Sequence, residues 1–321
     1  MQVYQLEKKG LQMFLLQLAE CAELIAPVKE DVVRFQAVKD PSTICFEGQA
    51  YLPAKSFFFR QEEVLFHFTG NKITVPAYKT PNRVFFGLRR CDLNAIMHQD
   101  KAFINSGDLA YESLRKNSLI IGYHCNTAPS PYCFCGSLDL EEFFDLMVYD
   151  HEDHYLVEIG SERGKELIAK HKALFKETKE MITAKDKVIP GADRLKKKDM
   201  SKLYDHPDWK KGIDICLSCA ACTTLCPTCY CFEIHDEITV ANPKAGERKR
   251  AWSSCQLPEF TKVAGGHVFR KERADRFKHR IFHQLHYNKE RYGINLCVGC
   301  GRCISGCPTR IDFVHIINEM K

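Results

Sequence analysis

The sequence lacks the features that mark several large classes of protein. No stretch approaches the roughly 18 consecutive apolar residues that a membrane-spanning helix needs. The first nine residues do not have the basic-then-apolar layout of a signal peptide. Neither a G-x-G-x-x-G run nor a Walker loop is present, so no nucleotide-binding motif is evident. We therefore expect a cytoplasmic protein that does not enter a membrane and has no nucleotide site of its own.

Charge is also modest, whereas cysteine is abundant. A net charge of +5 over 321 residues does not by itself indicate nucleic-acid binding. The basic stretch 267–291 lacks aromatic residues at stacking positions, so we expect no nucleic-acid partner there. The 17 cysteines are too sparse for a small disulfide scaffold. In a chain without a secretion signal, this favours thiolates bound to metal over disulfides.

Eight of the cysteines form two copies of the pattern C-x₂-C-x₂-C-x₃-C-P. In two-cluster ferredoxins the first three cysteines of such a run hold one 4Fe–4S cluster, and the fourth ligates the other cluster. The predicted ligands of cluster I are Cys216, Cys219, Cys222 and Cys307. The predicted ligands of cluster II are Cys297, Cys300, Cys303 and Cys226. A pair of zinc sites is the alternative, but zinc sites leave the third cysteine and the C-P pair of each run unexplained.

The two runs are widely separated in sequence, since 297 − 226 = 71 positions. The segment between them contains helix-like periodicity over 270–292, with apolar residues at Phe277, Ile281, Phe282 and Leu285. This favours an α-helical ferredoxin-like arrangement over the small β-hairpin kind.

The N-terminal half contains two buried-strand patterns, each followed by cysteine. The first, 84–88, precedes Cys91 and a helix predicted from 93 to about 103 with Asp92 as its N-cap. The second, 119–123, precedes Cys125. If the two strands are parallel neighbours, their ends share one sheet edge, where open α/β folds bind ligands. Cys133 and Cys135 lie just beyond this edge. We therefore predict that four cysteines, called the rim cysteines below, hold a third cluster: Cys91, Cys125, Cys133 and Cys135.

Arg89 and Arg90 would compensate the charge of that cluster. The alternative is that these four cysteines are buried, inert thiols.

Further patterns predict helices at 8–25, 139–146 and 163–176, a strand at 64–68, and a hairpin near 150–153 with its return strand at 155–159. The expected fold class is α+β. We predict an N-terminal α/β domain at 1–182, a basic linker at 183–212, and an α-helical ferredoxin-like dicluster domain at 213–321.

The remaining cysteines have no assigned ligand role. Cys21 and Cys45 are predicted to lie in the core, because their surroundings are apolar. Cys229 and Cys231 follow Cys226 so closely that they must lie near the clusters, but whether they shield a cluster or replace a rim cysteine stays open. Cys255 is also unassigned.

Phrases along nearly the whole chain carry a family resemblance. They are GLRRCDL at 87–93, CFC at 133–135, CPTCYCF at 226–232, AGGHVFR at 264–270 and CVGCGRC at 297–303. Together the chain resembles the iron–sulfur β subunit of cytoplasmic nickel–iron sulfhydrogenases and the related iron–sulfur subunit of anaerobic sulfite reductases. The resemblance implies an electron-transfer subunit beside one partner that binds FAD and NAD(P) and another that is catalytic.

Three functions remain open from the sequence. The first is this non-catalytic electron-transfer subunit. The second is a reductase of sulfur species that acts at its own N-terminal cluster. The third is a zinc-stabilised interaction module, which would lack redox chemistry.

Overall fold

The computed structural model describes residues 2–78 and 80–321. The strands in these ranges are β1 (Val3–Glu7), β2 (Glu23–Lys29), β3 (Val33–Ala37), β4 (Glu62–Thr69), β5 (Lys72–Thr74), β6 (Arg83–Leu88), β7 (Ser118–Tyr123), β8 (Leu146–Asp150), β9 (His154–Ile159), β10 (Phe175–Glu177), β11 (Phe232–Ile238) and β12 (Ala245–Trp252). The α-helices are α1 (Lys8–Cys21), α2 (Arg90–Phe103), α3 (Leu109–Lys116), α4 (Glu162–Lys170), α5 (Lys210–Ile213), α6 (Ala221–Thr224), α7 (Arg273–Phe282), α8 (Asn288–Tyr292), α9 (Arg302–Ser305) and α10 (Phe313–Glu319). Across the described ranges, no helix combines the length and the apolarity needed to cross a membrane.

The larger sheet has the strand order β10-β1-β9-β8-β7-β6-β2-β3. Its central strands β2, β6, β7 and β8 are parallel, and the strands on both sides of them are antiparallel. Central parallel strands are buried on both faces, which is why their sequences read as continuous apolar runs. The predictions of strands at 84–88 and 119–123 and of their parallel pairing are confirmed, with Leu88 opposite Gly122.

Helices cover both faces of this sheet. On β6, Phe86 packs into the core beneath α1 and α4, whereas its neighbour Phe85 packs into the core beneath α2 and α3. Successive side chains of a strand point to opposite faces, so two adjacent buried phenylalanines require a layer on each side. The N-terminal half is therefore a three-layer α/β structure with a core on each face of the sheet.

Several predicted helix bounds are corrected by the sheet. α1 ends at Cys21 rather than at residue 25, because Leu24 and Ile25 belong to the buried strand β2. α4 ends at Lys170 rather than near 176, because Phe175 is buried in β10, which pairs with β1. The helix predicted from residue 93 begins earlier, at Arg90, so Asp92 lies in its first turn rather than at the N-cap.

The helix predicted at 139–146 is wrong. Residues 139–144 are irregular and lead into β8. The side chain of Asn94 holds this segment by two hydrogen bonds: its Nδ2 donates to the Glu141 carbonyl at 2.9 Å, and its Oδ1 accepts from the Glu141 amide at 2.8 Å. Because α2 supplies these partners, the segment does not need helical hydrogen bonds of its own. The predicted hairpin and its return strand are confirmed as β8 and β9.

The C-terminal third packs around a separate apolar core. Its largest members are Trp209, Phe277, Phe282 and Phe313, with Phe134 of the N-terminal half among them. The stretch predicted to be a linker contains buried residues, namely Ile189, Ala192 and Trp209. The limits of that linker and of the two domains stay a prediction.

The segment between the cysteine runs is only partly helical. α7, a π-helical turn at His283–Tyr287 and α8 follow one another over most of the predicted 270–292 stretch. Before them, β11 and β12 form a hairpin that pairs with β4 and β5, giving a smaller sheet in the order β11-β12-β4-β5. The strand predicted at 64–68 is thus confirmed as β4, but its partner comes from the C-terminal third.

Candidate iron–sulfur centre

The two cysteine runs adopt the same backbone conformation. Ser218 and Ala220 flank Cys219 with φ of 51° and 65°, and Gly299 and Gly301 flank the corresponding cysteine with φ of 68° and 72°. Left-handed residues at these two places curl the chain around one point. This curl turns backbone N–H groups toward sulfur: the Ser218 amide lies 3.5 Å from Cys216 Sγ, and the Gly299 amide lies 3.4 Å from Cys297 Sγ. Such N–H···S contacts are those that hold and tune an iron–sulfur cluster.

Glycine is required in the second run for a further reason. A Cβ on Gly299 would lie 2.4 Å from the Cys135 amide nitrogen, and one on Gly301 would lie 2.4 Å from the Tyr132 carbonyl oxygen. The Gly299 carbonyl also accepts a 2.8 Å hydrogen bond from the Phe134 amide. The loop that carries two of the rim cysteines therefore rests directly on the second run, whereas the first run, with Ser218 and Ala220, is not covered in this way.

The predicted ligands of cluster I line one cavity. It is bounded by Cys216, Cys219, Cys222 and Cys307, with Phe277 and Phe313 among its apolar walls, and Cys303 of the predicted cluster II also reaches it. Cys219 is exposed, whereas Cys216 is buried. The structure thus brings Cys307 of the second run to the three leading cysteines of the first, as the crossed assignment requires.

The predicted ligands of cluster II also face one another. Negative charge on Cys226 would act on Cys297, Cys300 and Cys303; Cys300 is buried, and the other two are half-buried. Burial raises the pKa of Cys297 and of Cys222 to about 12. Thiols that stay protonated in water at neutral pH become ligands when a metal displaces the proton. These residues fit a cluster in their donor chemistry and in their crossed placement.

The four rim cysteines meet beside the second run. Cys125 follows β7, Cys91 lies in the first turn of α2, and the loop 126–134 brings Cys133 and Cys135 to them. Cys125 and Cys133 pack together, and the charges of Cys133, Cys125 and Cys300 all act on Cys135. Burial raises the pKa of Cys133 to about 11 and that of Cys135 to about 12. Cys91 packs against Cys300 and lies near Cys135, so the four thiols are grouped at one side of the predicted cluster II.

Two arginines were predicted to balance the charge of the rim cluster, and of these Arg89 lies beside Cys125. Its positive charge acts on Cys125, and its Nη1 donates to the Tyr123 carbonyl at 3.3 Å. Arg90 pairs with Glu142 at 2.7 Å and lines the cavity that reaches Cys135. A third arginine, Arg302 of α9, is missed by sequence reasoning, because nothing in the second run distinguishes it from a surface residue.

Arg302 is 2% exposed and lies among the rim and run cysteines. Its Nε donates to the Ala50 carbonyl at 2.7 Å, and its Nη1 lies 2.8 Å from Asp92 Oδ1 without hydrogen-bond geometry. Its Nη2 has no partner among the described residues. A buried guanidinium with spare donors fits an anionic group at this place, since the charge of a cluster would satisfy them.

A second buried arginine, Arg280 of α7, is missed for the same reason. It lies against Cys222 and Cys303, so it stands between the two predicted clusters, and its Nη2 donates to the Cys222 carbonyl at 3.2 Å. Its Nε has no hydrogen-bond partner within the described ranges. In these ranges no three Cys, His, Asp or Glu side chains converge closely enough to hold a single metal ion.

The comparisons with known proteins agree with this geometry. A family model described as a 4Fe-4S dicluster domain matches residues 215–311. The beta subunit of sulfhydrogenase 2 from Pyrococcus furiosus is 34% identical over 324 aligned residues, which cover 96% of this chain and 95% of that protein. The chain belongs to the sulfhydrogenase beta-subunit family. No solved structure matches it.

Membership in the sulfhydrogenase beta-subunit family confirms the resemblance stated from the sequence. It supports an iron–sulfur, electron-transferring protein whose cofactors are 4Fe–4S clusters.

The prediction that Cys21 and Cys45 lie in the core is wrong. Cys21 is exposed at the end of α1, and Cys45 is half-buried. Neither lies in a cysteine group.

Proposed function

We propose that this chain is the electron-transfer subunit of a multi-subunit cytoplasmic anaerobic oxidoreductase. It relays electrons between a subunit that binds FAD and NAD(P) and a catalytic subunit, which is a hydrogenase, a sulfite reductase or a similar enzyme. The observation that carries the proposal is the crossed placement of Cys226 and Cys307, each beside the leading cysteines of the other run. Family membership adds support, since the relative from Pyrococcus furiosus is named as a sulfhydrogenase subunit.

The proposed ligands are those predicted from the runs and from the rim. Cys216, Cys219, Cys222 and Cys307 hold cluster I, and Cys297, Cys300, Cys303 and Cys226 hold cluster II. Cys91, Cys125, Cys133 and Cys135 hold a third cluster. A 4Fe–4S cluster supplies one-electron transfer without making or breaking bonds to a substrate.

The chain's own residues set the conditions for that transfer. Phe277 and Phe313 keep water from the cavity of cluster I, while the exposed Cys219 marks the edge of this centre that lies nearest to solvent. Arg280 and Arg302 place positive charge beside buried sulfur, which favours the reduced, more negative state of a cluster. The exposed edge at Cys219 is therefore the proposed place at which electrons pass between cluster I and a partner subunit.

The test is to replace one ligand of each motif cluster in the native complex. Cys219→Ser and Cys300→Ser are each expected to abolish physiological electron transfer, while the catalytic partner keeps its activity with an artificial dye. Cys21→Ser is the control, because that thiol is exposed and remote from the cysteine groups. Unchanged physiological turnover in either ligand variant would refute the relay. Anaerobic purification of the complex identifies the partner subunits.

A second candidate function is reduction of sulfur species at the rim cluster. One observation favours it: a cavity of about 380 Å³ reaches Cys135 and has Arg90 and Lys187 in its wall. Both cations are paired with Glu142, so the cavity is less basic than its lining suggests. Turnover of polysulfide or sulfite by the isolated chain with a reduced dye would favour this function over the relay alone.

A further inference from the structure

Three cysteines outside the runs and the rim come together at one end of the β11–β12 hairpin. Cys231 immediately precedes β11, and Cys255 follows β12 by three residues. The hairpin pairs Phe232 with Trp252, and the Ser253 amide extends the pairing by a 2.9 Å hydrogen bond to the Cys231 carbonyl. The ends of an antiparallel hairpin lie side by side, so residues 24 positions apart (255 − 231 = 24) become neighbours.

The thiols of this trio, Cys229, Cys231 and Cys255, form a connected group. The hairpin ends place Cys231 beside Cys255, Cys229 and Cys231 line the same cavity, and Cys229 lies close to Cys226 of the first run. Cys229 and Cys255 are buried, and Cys231 is half-buried. The trio is separate from the rim, whose cysteines adjoin Cys300 instead. It lies beside both predicted motif clusters.

A buried lysine faces the trio without a carboxylate partner. Lys55 is 4% exposed, and its Nζ donates to the carbonyls of Thr223 at 3.3 Å and Cys229 at 3.1 Å. The ammonium also lies 4.2 Å from the centre of the Trp252 ring. Among the described residues Lys55 forms no ion pair with Asp or Glu, so the thiolates of Cys229, of Cys226 in the first run and of Cys231 would be the sources of negative charge beside it. Burial of a cation is costly unless an anion compensates it.

A second cation reaches the same group. Arg280, 8% exposed, is held against Cys229 as well as against Cys222 and Cys303 of the motif runs. A cavity of about 170 Å³ adjoins the thiols, with Lys55, Cys229, Cys231 and Trp252 in its lining. Two buried cations, a hairpin that brings Cys231 beside Cys255, and a cavity lined by both Cys229 and Cys231 together fit a metal cluster with net negative charge.

We propose that Cys229, Cys231 and Cys255 ligate a further iron–sulfur cluster of the 4Fe–4S class, compensated by Lys55 and Arg280. Three thiolates would leave one iron of such a cluster without a cysteine ligand. This site goes beyond the relay of motif and rim clusters and does not depend on the rim assignment. Its position, against Cys226 on one side and near Cys222 on the other, puts it in contact with the motif pair.

The experiment measures iron and acid-labile sulfide in the full chain, purified anaerobically. The double variant C231S/C255S is expected to lose about four iron and four sulfide atoms per chain relative to the unsubstituted protein. The EPR signals that Cys219→Ser and Cys300→Ser remove are expected to remain, which separates this site from the motif clusters. The control is Cys21→Ser, which removes an exposed thiol and is expected to change neither count. Iron and sulfide counts in the double variant equal to those of the unsubstituted protein would overturn the proposal.

A variant that keeps every cysteine covers the case in which the double variant does not fold. Lys55→Met removes the cation and preserves most of the side-chain volume. If a cluster occupies the site, the iron content stays unchanged and one additional redox component, distinct from the two motif signals, moves to a more negative midpoint potential. If all components titrate as in the unsubstituted protein, no cluster lies beside Lys55 and the proposal fails.

Discussion

Thr228 and Thr309 occupy equivalent positions, each two residues after the last cysteine of a run, and each hydroxyl lies against the sulfur of that cysteine. The Oγ1–Sγ distances are 3.2 Å to Cys226 and 3.5 Å to Cys307. The repeat of C-P-T in both runs thus places one hydroxyl beside each crossing ligand. Hydrogen bonds to cluster sulfur are among the means by which a protein sets a cluster's potential.

Thr309→Val is therefore expected to make one cluster harder to reduce, because a donor that stabilises the more negative state is removed. A hydrogen bond worth about 1 kcal/mol corresponds to about 40 mV for a one-electron couple. An EPR-monitored redox titration measures the shift. Thr224→Val is the control, since that hydroxyl donates to the Ala220 carbonyl instead. The shifted signal should be the one that Cys219→Ser removes. A shift of the signal that Cys300→Ser removes would contradict the crossed assignment of Cys307.

Gly299→Ala is expected to destabilise the protein more than Gly293→Ala. Both glycines have positive φ, 68° and 79°, so both substitutions carry the left-handed penalty of about 1–2 kcal/mol. Only at Gly299 would the added methyl collide with backbone, at the Cys135 amide, whereas nothing lies within 4 Å at Gly293. Chemical unfolding under anaerobic conditions measures the difference. Equal losses at the two positions would mean that the rim loop does not press on the second run.

Arg250→Ala is expected to loosen the β11–β12 hairpin from the N-terminal half. Arg250 is 3% exposed and pairs with Glu63 of β4 and with Asp108 at the start of α3. Its removal leaves the buried carboxylate of Glu63 without its partner, at a cost of about 3–5 kcal/mol in the free energy of unfolding. The matched control is Arg248→Ala on the same strand, whose pair with Asp236 is exposed and worth about 0–1 kcal/mol. Similar effects of the two substitutions would count against a buried, structural role for Arg250.

Cys133→Ser tests the rim. If the four rim thiols hold a cluster, this variant loses about four iron and four sulfide atoms per chain and keeps both motif signals. Cys45→Ser serves as the control, because Cys45 is half-buried and its thiol donates to the Glu47 carbonyl at 3.2 Å rather than facing the rim. If the iron and sulfide contents of Cys133→Ser equal those of the unsubstituted protein, the rim cysteines are buried thiols that hold no cluster. In a chain that also carries C231S/C255S, the two losses should add.

Much of the larger sheet could be predicted from sequence, because its central strands carry their own signal. The runs at 84–88 and 119–123 are apolar on both faces, and this reads directly as buried parallel strand. The residues at which helices begin and end were predicted less well. The helix assigned to 139–146 failed because the hydrogen bonds of that segment come from Asn94, a residue 47 positions from Glu141.

The small sheet shows a second limit. β4 was predicted from its own residues, but its partner β12 lies roughly 180 residues later in the chain. A pairing over such a distance leaves no local pattern, since strand registers are set by the packing of the whole fold. The hairpin that carries Cys231 and positions Cys255 was for this reason not foreseen.

The eight motif cysteines could be identified from sequence alone, because the spacing C-x₂-C-x₂-C-x₃-C-P is a local property of a loop that wraps a cluster. What surrounds them emerges only when the chain is folded: the rim loop resting on Gly299, the buried guanidinium of Arg302 beside Asp92, and Lys55 beside Cys229. A buried charge can be recognised only when its burial is known, and burial is a property of distant segments brought together. The count of cluster sites in this chain therefore depends on thiols and cations that no short motif contains.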